Sequence, residues 1–303
     1  MGHIEQLEQL AISAGCEARR QEFMNKHTTF KIGGPAELFL IVHHEKALQQ
    51  VIAFASKCEI PLLLLGNGSN ILVSDRGIAG AVVSLGEEFK QVRKTGENEL
   101  TAGAGASLSA LCSAALKESL TGIEFLWGIP GSVGGAAYMN AGAYGGEIGQ
   151  ALVECRHVTA KGEPGGLKAE EMELSYRHTA YNSNGAAITF ATVALRPGNR
   201  DEIKQKMEEL YNRRKEKQPL EYPSAGSVFK RPAGHFAGTL IEKCGLKGKR
   251  IGGAMVSEKH AGFIVNCGGA TCKDVQDLIE LIQRIVYERT QIILECEVKR
   301  IGR

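Results

Sequence analysis

The sequence has few of the features that mark membrane, secreted or nucleic-acid-binding proteins. No apolar run approaches the roughly 20 residues that cross a bilayer, and the N-terminal segment MGHIEQLEQLAISAG is acidic rather than continuously apolar. The formal net charge of +2 is too small for the concentrated basic face that nucleic-acid binding needs. We therefore expect a cytoplasmic protein without a signal peptide that binds neither membranes nor nucleic acids. A monomer is expected, although no feature of the sequence fixes the oligomeric state.

The cysteines and histidines also lack the spacing of a metal site. The eight cysteines include no C-x-x-C pair, and the nearest two, Cys267 and Cys272, have no second pair at zinc spacing. The histidines His27, His178, His235 and His260 are equally isolated along the chain. Reduced thiols and no bound metal are the expectation.

The composition that is present is that of an ordinary globular protein, with 43% apolar and 23% charged residues. A length of 303 residues favours two or three lobes rather than one core. Apolar residues at helical spacing predict helices after the N-terminal one at Glu45–Lys57, Ser107–Leu120, Asp201–Lys217, Phe236–Cys244 and Lys273–Arg289. Apolar and β-branched runs predict strands at Leu62–Leu65, Ala81–Leu85, Ala151–Ala160, Ala187–Leu195, Gly262–Asn266 and Gln291–Ile301.

The segment Gly128–Gly149 is so rich in glycine that it predicts neither a helix nor a strand. A long stretch without a regular period is most often a functional loop. Two shorter segments, Gly66–Asn70 and Gly103–Ser107, also follow strand-like runs.

Glycine turns of this kind bind phosphate because their backbone amides have no other partner. Three segments could cradle phosphate in this way: Gly66–Asn70, Gly103–Ser107 and Gly128–Gly135. None is a P-loop, since no Lys-Ser or Lys-Thr follows at the required spacing. Ile71 and Leu108 stand where a dinucleotide fingerprint has its third glycine, which excludes a Rossmann site. One such turn alone is as often structural as functional, but three together favour a large phosphate-bearing cofactor.

Longer motifs resemble one enzyme family. NKHTTFKIGGP from Asn25, LLGNGSNILVSDRGIAG from Leu64 and GIEFLWGIPGSVGGAAYMNAGAYGGEIG from Gly122 resemble the FAD-binding half of UDP-N-acetylenolpyruvoylglucosamine reductases. SYR from Ser175, PSAGSVFKRP from Pro223, GGAMVSEKHAGFIVN from Gly252 and LECEVKRIG from Leu294 resemble their catalytic and substrate-binding segments. The resemblance runs in order over nearly the whole chain.

The resemblance implies an α+β fold, with a vanillyl-alcohol-oxidase-type FAD-binding domain of two subdomains and a C-terminal α/β substrate-binding lobe. The implied domains are residues 1–198, with a subdomain boundary near 85–100, and residues 199–303. The resemblance assigns FAD binding to Gly66, Asn67, Gly68, Ser69, Asn70, Ile129, Pro130, Gly131, Ser132, Gly134, Gly135, Asn140 and Gly142. Related oxidases often tether flavin through a histidine in the first turn; this chain has none there, so dissociable FAD is expected.

Two departures place the chain within the family. Only a short connection separates the SYR motif from the strand at Ile188, which resembles the branch that lacks a loop with a lid tyrosine. No lid tyrosine is therefore assigned, although Tyr181 is nearby. Arg231 stands where the other branch tends to have asparagine.

The implied reaction has two halves: NADPH, the co-substrate, reduces FAD, and reduced flavin then reduces UDP-N-acetylglucosamine enolpyruvate. Ser227 aligns with the family's proton donor, Arg177 with the residue that grips the carboxylate, and Glu297 with a third catalytic residue that polarises the same group. Glu295 would face the same side as Glu297 if this segment is a strand, and Glu297 is preferred on alignment.

Each of these residues also has a structural interpretation: Ser227 as a turn residue, Arg177 in a surface ion pair and Glu297 on a solvent-facing strand edge. Substrate binding is assigned to Tyr176, Arg214, Lys217 and Lys230. The basic run Arg213, Arg214, Lys215 and Lys217 is equally consistent with attracting a diphosphate and with complementing the helix dipole. Trp127 is assigned to core packing.

Two rival functions remain open at this point. An oxidase of a small alcohol or sugar would share the fold but needs an oxygen-reactive flavin. A nucleotide-binding regulatory module would leave Arg177, Ser227 and Glu297 without a role. The preference for NADPH over NADH is not fixed by any separate nicotinamide motif.

Overall fold

The computed structural model describes residues 2–303; Met1, the first residue of the predicted FAD-binding domain, lies outside them. The α-helices are α1 His3–Ser13, α2 Glu45–Lys57, α3 Leu108–Lys117, α4 Val133–Met139, α5 Arg200–Lys217, α6 Ala237–Lys243 and α7 Cys272–Thr290. The first ten strands are β1 Glu17–Phe23, β2 Pro35–Val42, β3 Leu62–Leu65, β4 Ile71–Val73, β5 Ile78–Leu85, β6 Val92–Lys94, β7 Glu99–Gly103, β8 Leu120–Thr121, β9 Gly142–Ala143 and β10 Gly146–Glu147. The remaining strands are β11 Leu152–Val158, β12 Pro164–Lys168, β13 Ala187–Ala194, β14 Arg196–Pro197, β15 Ser224–Ser227, β16 Arg250–Ile251, β17 Ala254–Val256, β18 Phe263–Asn266 and β19 Lys299–Ile301.

Three larger sheets organise these strands. One has the order β1-β2-β5-β3, and its β3 and β5 run parallel with Leu62 opposite Ala81. A second, antiparallel sheet has the order β12-β11-β13-β7-β6. The third, also antiparallel, has the order β15-β18-β17-β16. Helices and mixed sheets together match the predicted α+β class.

Contacts divide the chain into two compact units, each assembled from separate segments. The first comprises the chain up to Arg20, Leu38–Asn67 and Gly80–Arg213. The second comprises Gln21–Glu37, Gly68–Ala79 and Arg214–Arg303. The parallel pair β4–β19, with Ile71 opposite Lys299, ties two of the second unit's segments together. The predicted functional division into 1–198 and 199–303 stays a prediction.

Each unit has its own apolar core. In the first unit, Leu48, Val51 and Ile52 of α2 are buried with Leu111 and Cys112 of α3. In the second, α7 buries Val275, Leu278, Ile282 and Val286 in a cluster that also contains Ile264 of β18. These positions follow the apolar spacing of the sequence, because one face of each amphipathic helix must leave water.

Local sequence signals place several helix ends. Ser107 caps α3 as predicted, since its hydroxyl accepts a hydrogen bond from the amide of Ala110 at 3.0 Å. Thr271 and Asp274 cap α7 reciprocally, with each side chain accepting from the other's amide at 3.0 Å. The predicted helix at Glu45–Lys57 and the predicted strand at Leu62–Leu65 are confirmed at the same bounds.

The expectation that Gly128–Gly149 contains neither a helix nor a strand is wrong, because α4 lies within it at Val133–Met139 and the short strands β9 and β10 follow. The hydroxyl of Ser132 accepts from the amide of Gly135 at 3.2 Å and so caps the helix. A Cβ on Gly134 would lie 2.6 Å from that of Ala104, so the glycine is needed for close packing. Tertiary packing here outweighs the poor helix propensity of glycine.

The expectation of one long strand at Gln291–Ile301 is also wrong, since only Lys299–Ile301 forms a strand. The segment before it forms isolated hydrogen bonds instead of a ladder: the amide of Lys230 donates to the carbonyl of Glu295, and the amide of Glu297 donates to the carbonyl of Val228.

Among residues 2–303, no helix is long and apolar enough to span a membrane. The same residues contain no group of His, Cys, Asp and Glu arranged to hold a metal ion. All eight cysteines are free thiols.

Candidate active site

The turn Gly66–Asn70, which follows β3, offers a row of backbone donors. Within residues 2–303, the amides of Gly66, Asn67, Gly68 and Ser69 donate to no other group of the protein. Gly68 adopts a φ of +60° and is buried. Its carbonyl accepts from the amide of Thr29 at 3.2 Å, which fixes the turn from behind. Consecutive amides without partners fit a phosphate or diphosphate, because an anion satisfies all of them at once.

The segment Ile129–Gly135 is built differently, because most of its donors already have partners. The amide of Gly131 donates to Ile129, that of Gly134 to Ala104 at 2.9 Å, and that of Gly135 to the Ser132 hydroxyl. A Cβ on Gly66 would lie 2.4 Å from the Ser132 Oγ, so the end of β3 and this segment touch. The glycines of this segment allow close packing next to the Gly66–Asn70 turn. They do not present a second set of backbone amides without partners.

Arg177 lies in a tight turn that its neighbours close. Ser175 and His178 exchange backbone hydrogen bonds of 3.2 and 3.1 Å, and Arg177 between them has a φ of +55°. The Arg177 guanidinium donates to the carbonyl of Asn140 at 3.4 Å and to that of Gly142 at 3.2 Å. Backbone strain of this kind persists only where the surrounding contacts hold it.

Two aromatic rings on the first unit have cations over them. The guanidinium of Arg177 lies 5.0 Å from the ring centre of Tyr176, whose side chain is exposed. Tyr144, at the tip of the β9–β10 hairpin, has a φ of +54° and holds the guanidinium of Arg213 at 5.0 Å. Both tyrosines are exposed, which suits binding of a polar ligand.

Ser227, Glu297 and Asn70 lie in one bonded group of the second unit. Ser227 ends β15 next to Gly226, whose φ is +76°, and its hydroxyl donates to the carbonyl of Phe229 at 3.3 Å. The next residue, Val228, accepts from the amide of Glu297 at 2.8 Å. The side-chain amide of Asn70 donates to the carbonyl of Glu297 at 3.3 Å. The structure therefore brings these three predicted site residues together.

The imidazole of His260 lies beside this group. A Cβ on Gly262 would lie 2.9 Å from His260 Cε1 and 3.5 Å from the Ser227 Oγ, so the glycine leaves the space between ring and hydroxyl open. The amide of Gly262 donates to His260 Nδ1 at 3.1 Å. Burial lowers the pKa of His260, which favours its neutral form.

The remaining acidic and basic residues predicted for the site differ in their exposure to solvent. Lys230 forms an ion pair of 3.2 Å with Glu295, whose side chain is 72% exposed. Glu297 is only partly exposed, so the two glutamates have different environments. Arg214 is buried and donates to the Gln218 side chain at 3.3 Å, whereas Lys217 is exposed. The basic run at the end of α5 is thus not a single charged surface.

Comparison with known proteins identifies the family. The UDP-N-acetylenolpyruvoylglucosamine reductase of Lachnoclostridium phytofermentans is 50% identical over 93% of this chain and 92% of its own length. The chain belongs to the UDP-N-acetylenolpyruvoylglucosamine reductase family. Its relative from Streptococcus pneumoniae (strain 70585) is 47% identical over 97% of both chains. The crystal structure of the family member from Thermus caldophilus superposes with a TM-score of 0.81 at 36% identity, covering 95% of this chain and 99% of that one.

Two family models match separate parts of the chain. The model of the FAD binding domain matches residues 36–164. The model of the UDP-N-acetylenolpyruvoylglucosamine reductase C-terminal domain matches residues 218–301. The predicted fold class and the predicted FAD cofactor are therefore confirmed.

Sequence reasoning gave no role to the Asn140 side chain beyond a cofactor contact. Asn140 is buried, and its side-chain amide bonds to Glu147 and Gly149 in one segment and to Ser175 in another. The available signal was an asparagine within a glycine-rich stretch, because asparagine often ends a helix in the left-handed conformation. Tyr181, near the position of the missing lid, is buried and donates to the carbonyl of Cys155 at 3.3 Å. Trp127 packs against the first unit's core, as expected.

Proposed function

We propose that this protein reduces the enolpyruvyl group of UDP-N-acetylglucosamine enolpyruvate with NADPH, giving UDP-N-acetylmuramate for peptidoglycan precursors. The observation that carries the proposal is the 50% identity to a reductase of that name over 93% of the chain. Sequence identity at this level over matched lengths supports a shared reaction. The cytoplasmic location and the monomeric state stay predictions.

We assign the FAD diphosphate to the turn Gly66–Asn70, because the amides of Gly66, Asn67, Gly68 and Ser69 have no partner among residues 2–303 and fit two adjacent phosphates. Ile129, Pro130, Gly131, Ser132, Gly134 and Gly135 are assigned to the neighbouring part of the cofactor. The assignment of Asn140 and Gly142 to cofactor binding stays a prediction. Bound FAD supplies hydride transfer from NADPH to the terminal carbon of the enolpyruvyl group.

The roles of the chain's own groups follow from the charge that the reaction develops. Arg177 binds the substrate carboxylate, because negative charge grows there when hydride arrives at the neighbouring alkene. Ser227 donates its hydroxyl proton to the carbon next to that carboxylate. Glu297 is assigned to polarising the same group. Tyr176, Arg214, Lys217 and Lys230 are assigned to the UDP-sugar.

The test separates the two halves of the reaction. Anaerobic addition of NADPH should bleach the flavin band of the holoenzyme, and the enolpyruvyl UDP-sugar should restore it. In Ser227→Ala, bleaching should persist at a normal rate while reoxidation by the sugar slows by orders of magnitude, since the proton donor is gone. Ser224→Ala, on the same strand, is the matched control and should behave like the wild type.

Three other outcomes would contradict the proposal. A wild-type flavin that returns only with oxygen would support an oxidase. Absence of a flavin band after adding FAD would remove the cofactor assignment. Equal loss in both half-reactions of Ser227→Ala would remove the proposed role of that hydroxyl.

A further inference from the structure

Asn140 ends helix α4 at a point where three chain segments meet. Its backbone is left-handed, with φ 44° and ψ 57°, and its side chain is only 2% exposed. Asparagine adopts this conformation more readily than other residues with side chains. A buried amide at a helix end must find partners for both N–H groups and its oxygen.

The Asn140 amide bonds to the other two segments. Its Nδ2 donates to the carbonyl of Ser175 at 2.9 Å and to the Glu147 carboxylate at 3.1 Å. Its Oδ1 accepts from the amide of Gly149 at 3.0 Å. A Cβ on Gly149 would lie 2.7 Å from this oxygen, so the approach is tight. One side chain therefore connects the end of α4, the loop after β10 and the turn at Ser175.

The same residue also contacts the Arg177 guanidinium through its backbone. The Asn140 carbonyl accepts from Arg177 Nη1 at 3.4 Å, next to the Gly142 carbonyl that accepts from Nη2. The Ser175 carbonyl held by Asn140 also accepts from the amide of His178, which closes the turn around Arg177. Asn140 thus fixes the turn that carries the arginine and one oxygen to which its guanidinium is bonded.

We propose that Asn140 is a positioning residue for Arg177, holding the guanidinium in the orientation that receives the substrate carboxylate. The inference rests on the proposed function, because it needs a step in which that carboxylate gains charge. A small displacement of a binding group costs roughly 10- to 100-fold in rate when geometry matters this much. Asn140 acts through Arg177 and needs no contact with substrate.

The variant to make is Asn140→Gly, which removes the amide while keeping the left-handed backbone unstrained. Asn140→Asp is the second variant: it keeps the acceptor for Gly149 and loses both donated hydrogen bonds. Asn182→Ala is the matched control, since Asn182 donates to the carbonyl of Tyr138 at the same helix end. Each is examined as holoenzyme by single-turnover reduction with NADPH and reoxidation by the enolpyruvyl UDP-sugar.

We expect both Asn140 variants to slow reoxidation at least tenfold more than they slow reduction by NADPH, while the control stays near wild type in both. In an Arg177→Lys background, Asn140→Gly should slow reoxidation little further, because both changes act on the same group, the oriented Arg177 guanidinium. Independent, multiplicative losses would overturn the inference, as would wild-type reoxidation in both variants. Loss of FAD binding or of both half-reactions would show a cofactor contact instead. A wild-type enzyme that the sugar does not reoxidise would overturn the proposed function itself.

Discussion

Replacing Gly68 by alanine tests the assignment of the Gly66–Asn70 turn to the FAD diphosphate. Gly68 has a φ of +60°, and a Cβ there would lie 2.2 Å from the carbonyl oxygen of His27 and 2.9 Å from the Cα of Thr28. Both neighbours are backbone atoms, so the turn itself must move. The amides that it presents then no longer point at one anion.

The expected losses of stability and of FAD affinity in Gly68→Ala can be estimated separately. The left-handed conformation costs alanine about 1–2 kcal/mol relative to glycine, which lowers the free energy of unfolding. Losing one hydrogen bond to a charged phosphate costs a further 1.5–3 kcal/mol, roughly, in binding. The dissociation constant of FAD should therefore rise roughly 10- to 100-fold.

Gly245→Ala is the control that separates strain from ligand contact. Gly245 also belongs to the second unit and has a φ of +68°, but a Cβ there would have nothing within 4 Å. It should cost similar stability and leave FAD binding unchanged. The assay is flavin fluorescence titration of the apoprotein, with urea unfolding in parallel. Equal FAD affinity in Gly68→Ala and wild type, or equal weakening in both variants, would refute the reasoning.

Two further predictions concern stability. Burial lowers the pKa of His157, so its stabilising contribution is present above the unfolded pKa of about 6.5 and is lost as pH falls below it. His157→Gln should therefore show a shallower decline in unfolding free energy between pH 7 and 5 by urea titration, and an unchanged slope would argue against this cause. Thr271→Ala should destabilise the protein by about 1 kcal/mol through loss of the α7 cap, whereas Thr271→Ser should retain most of it. Equal unfolding midpoints for the two variants would contradict that account.

The elements that the sequence predicted well are those whose signals are local. The apolar stripe of α2, the apolar run of β3 and the Ser107 cap each depend on residues within one or two turns. Amphipathic periodicity and capping hydroxyls act over such short distances, so they can be recognised without knowing the fold.

The elements that were missed depend on distant partners. Helix α4 forms because Gly134 packs on Ala104 and Ser132 caps its start, and neither contact is visible in a glycine-rich stretch. The segment before β19 looked like a strand, but its hydrogen bonds go irregularly to Val228 and Lys230. An alternating apolar pattern does not reveal which neighbouring strand, if any, supplies the backbone hydrogen bonds of a sheet.

The candidate site divides in the same way. The family resemblance named Arg177, Ser227 and Glu297, whose roles stay predictions. The sequence could not show that the Asn140 side chain bonds to Ser175, Glu147 and Gly149, since that depends on how a helix end meets two loops. Nor could it show that Lys230 pairs with Glu295.

The discontinuous second unit has a consequence for how the protein is made. Strand β4, at Ile71–Val73, pairs in parallel with β19, at Lys299–Ile301, and Asn266 donates to the carbonyl of Phe30. On the ribosome the early segments of this unit must wait until their late partners have been translated. The first unit, by contrast, can begin to form its core beforehand. Early segments that wait with an unpaired edge are targets for chaperones, and a translational pause before β19 would prolong that exposure.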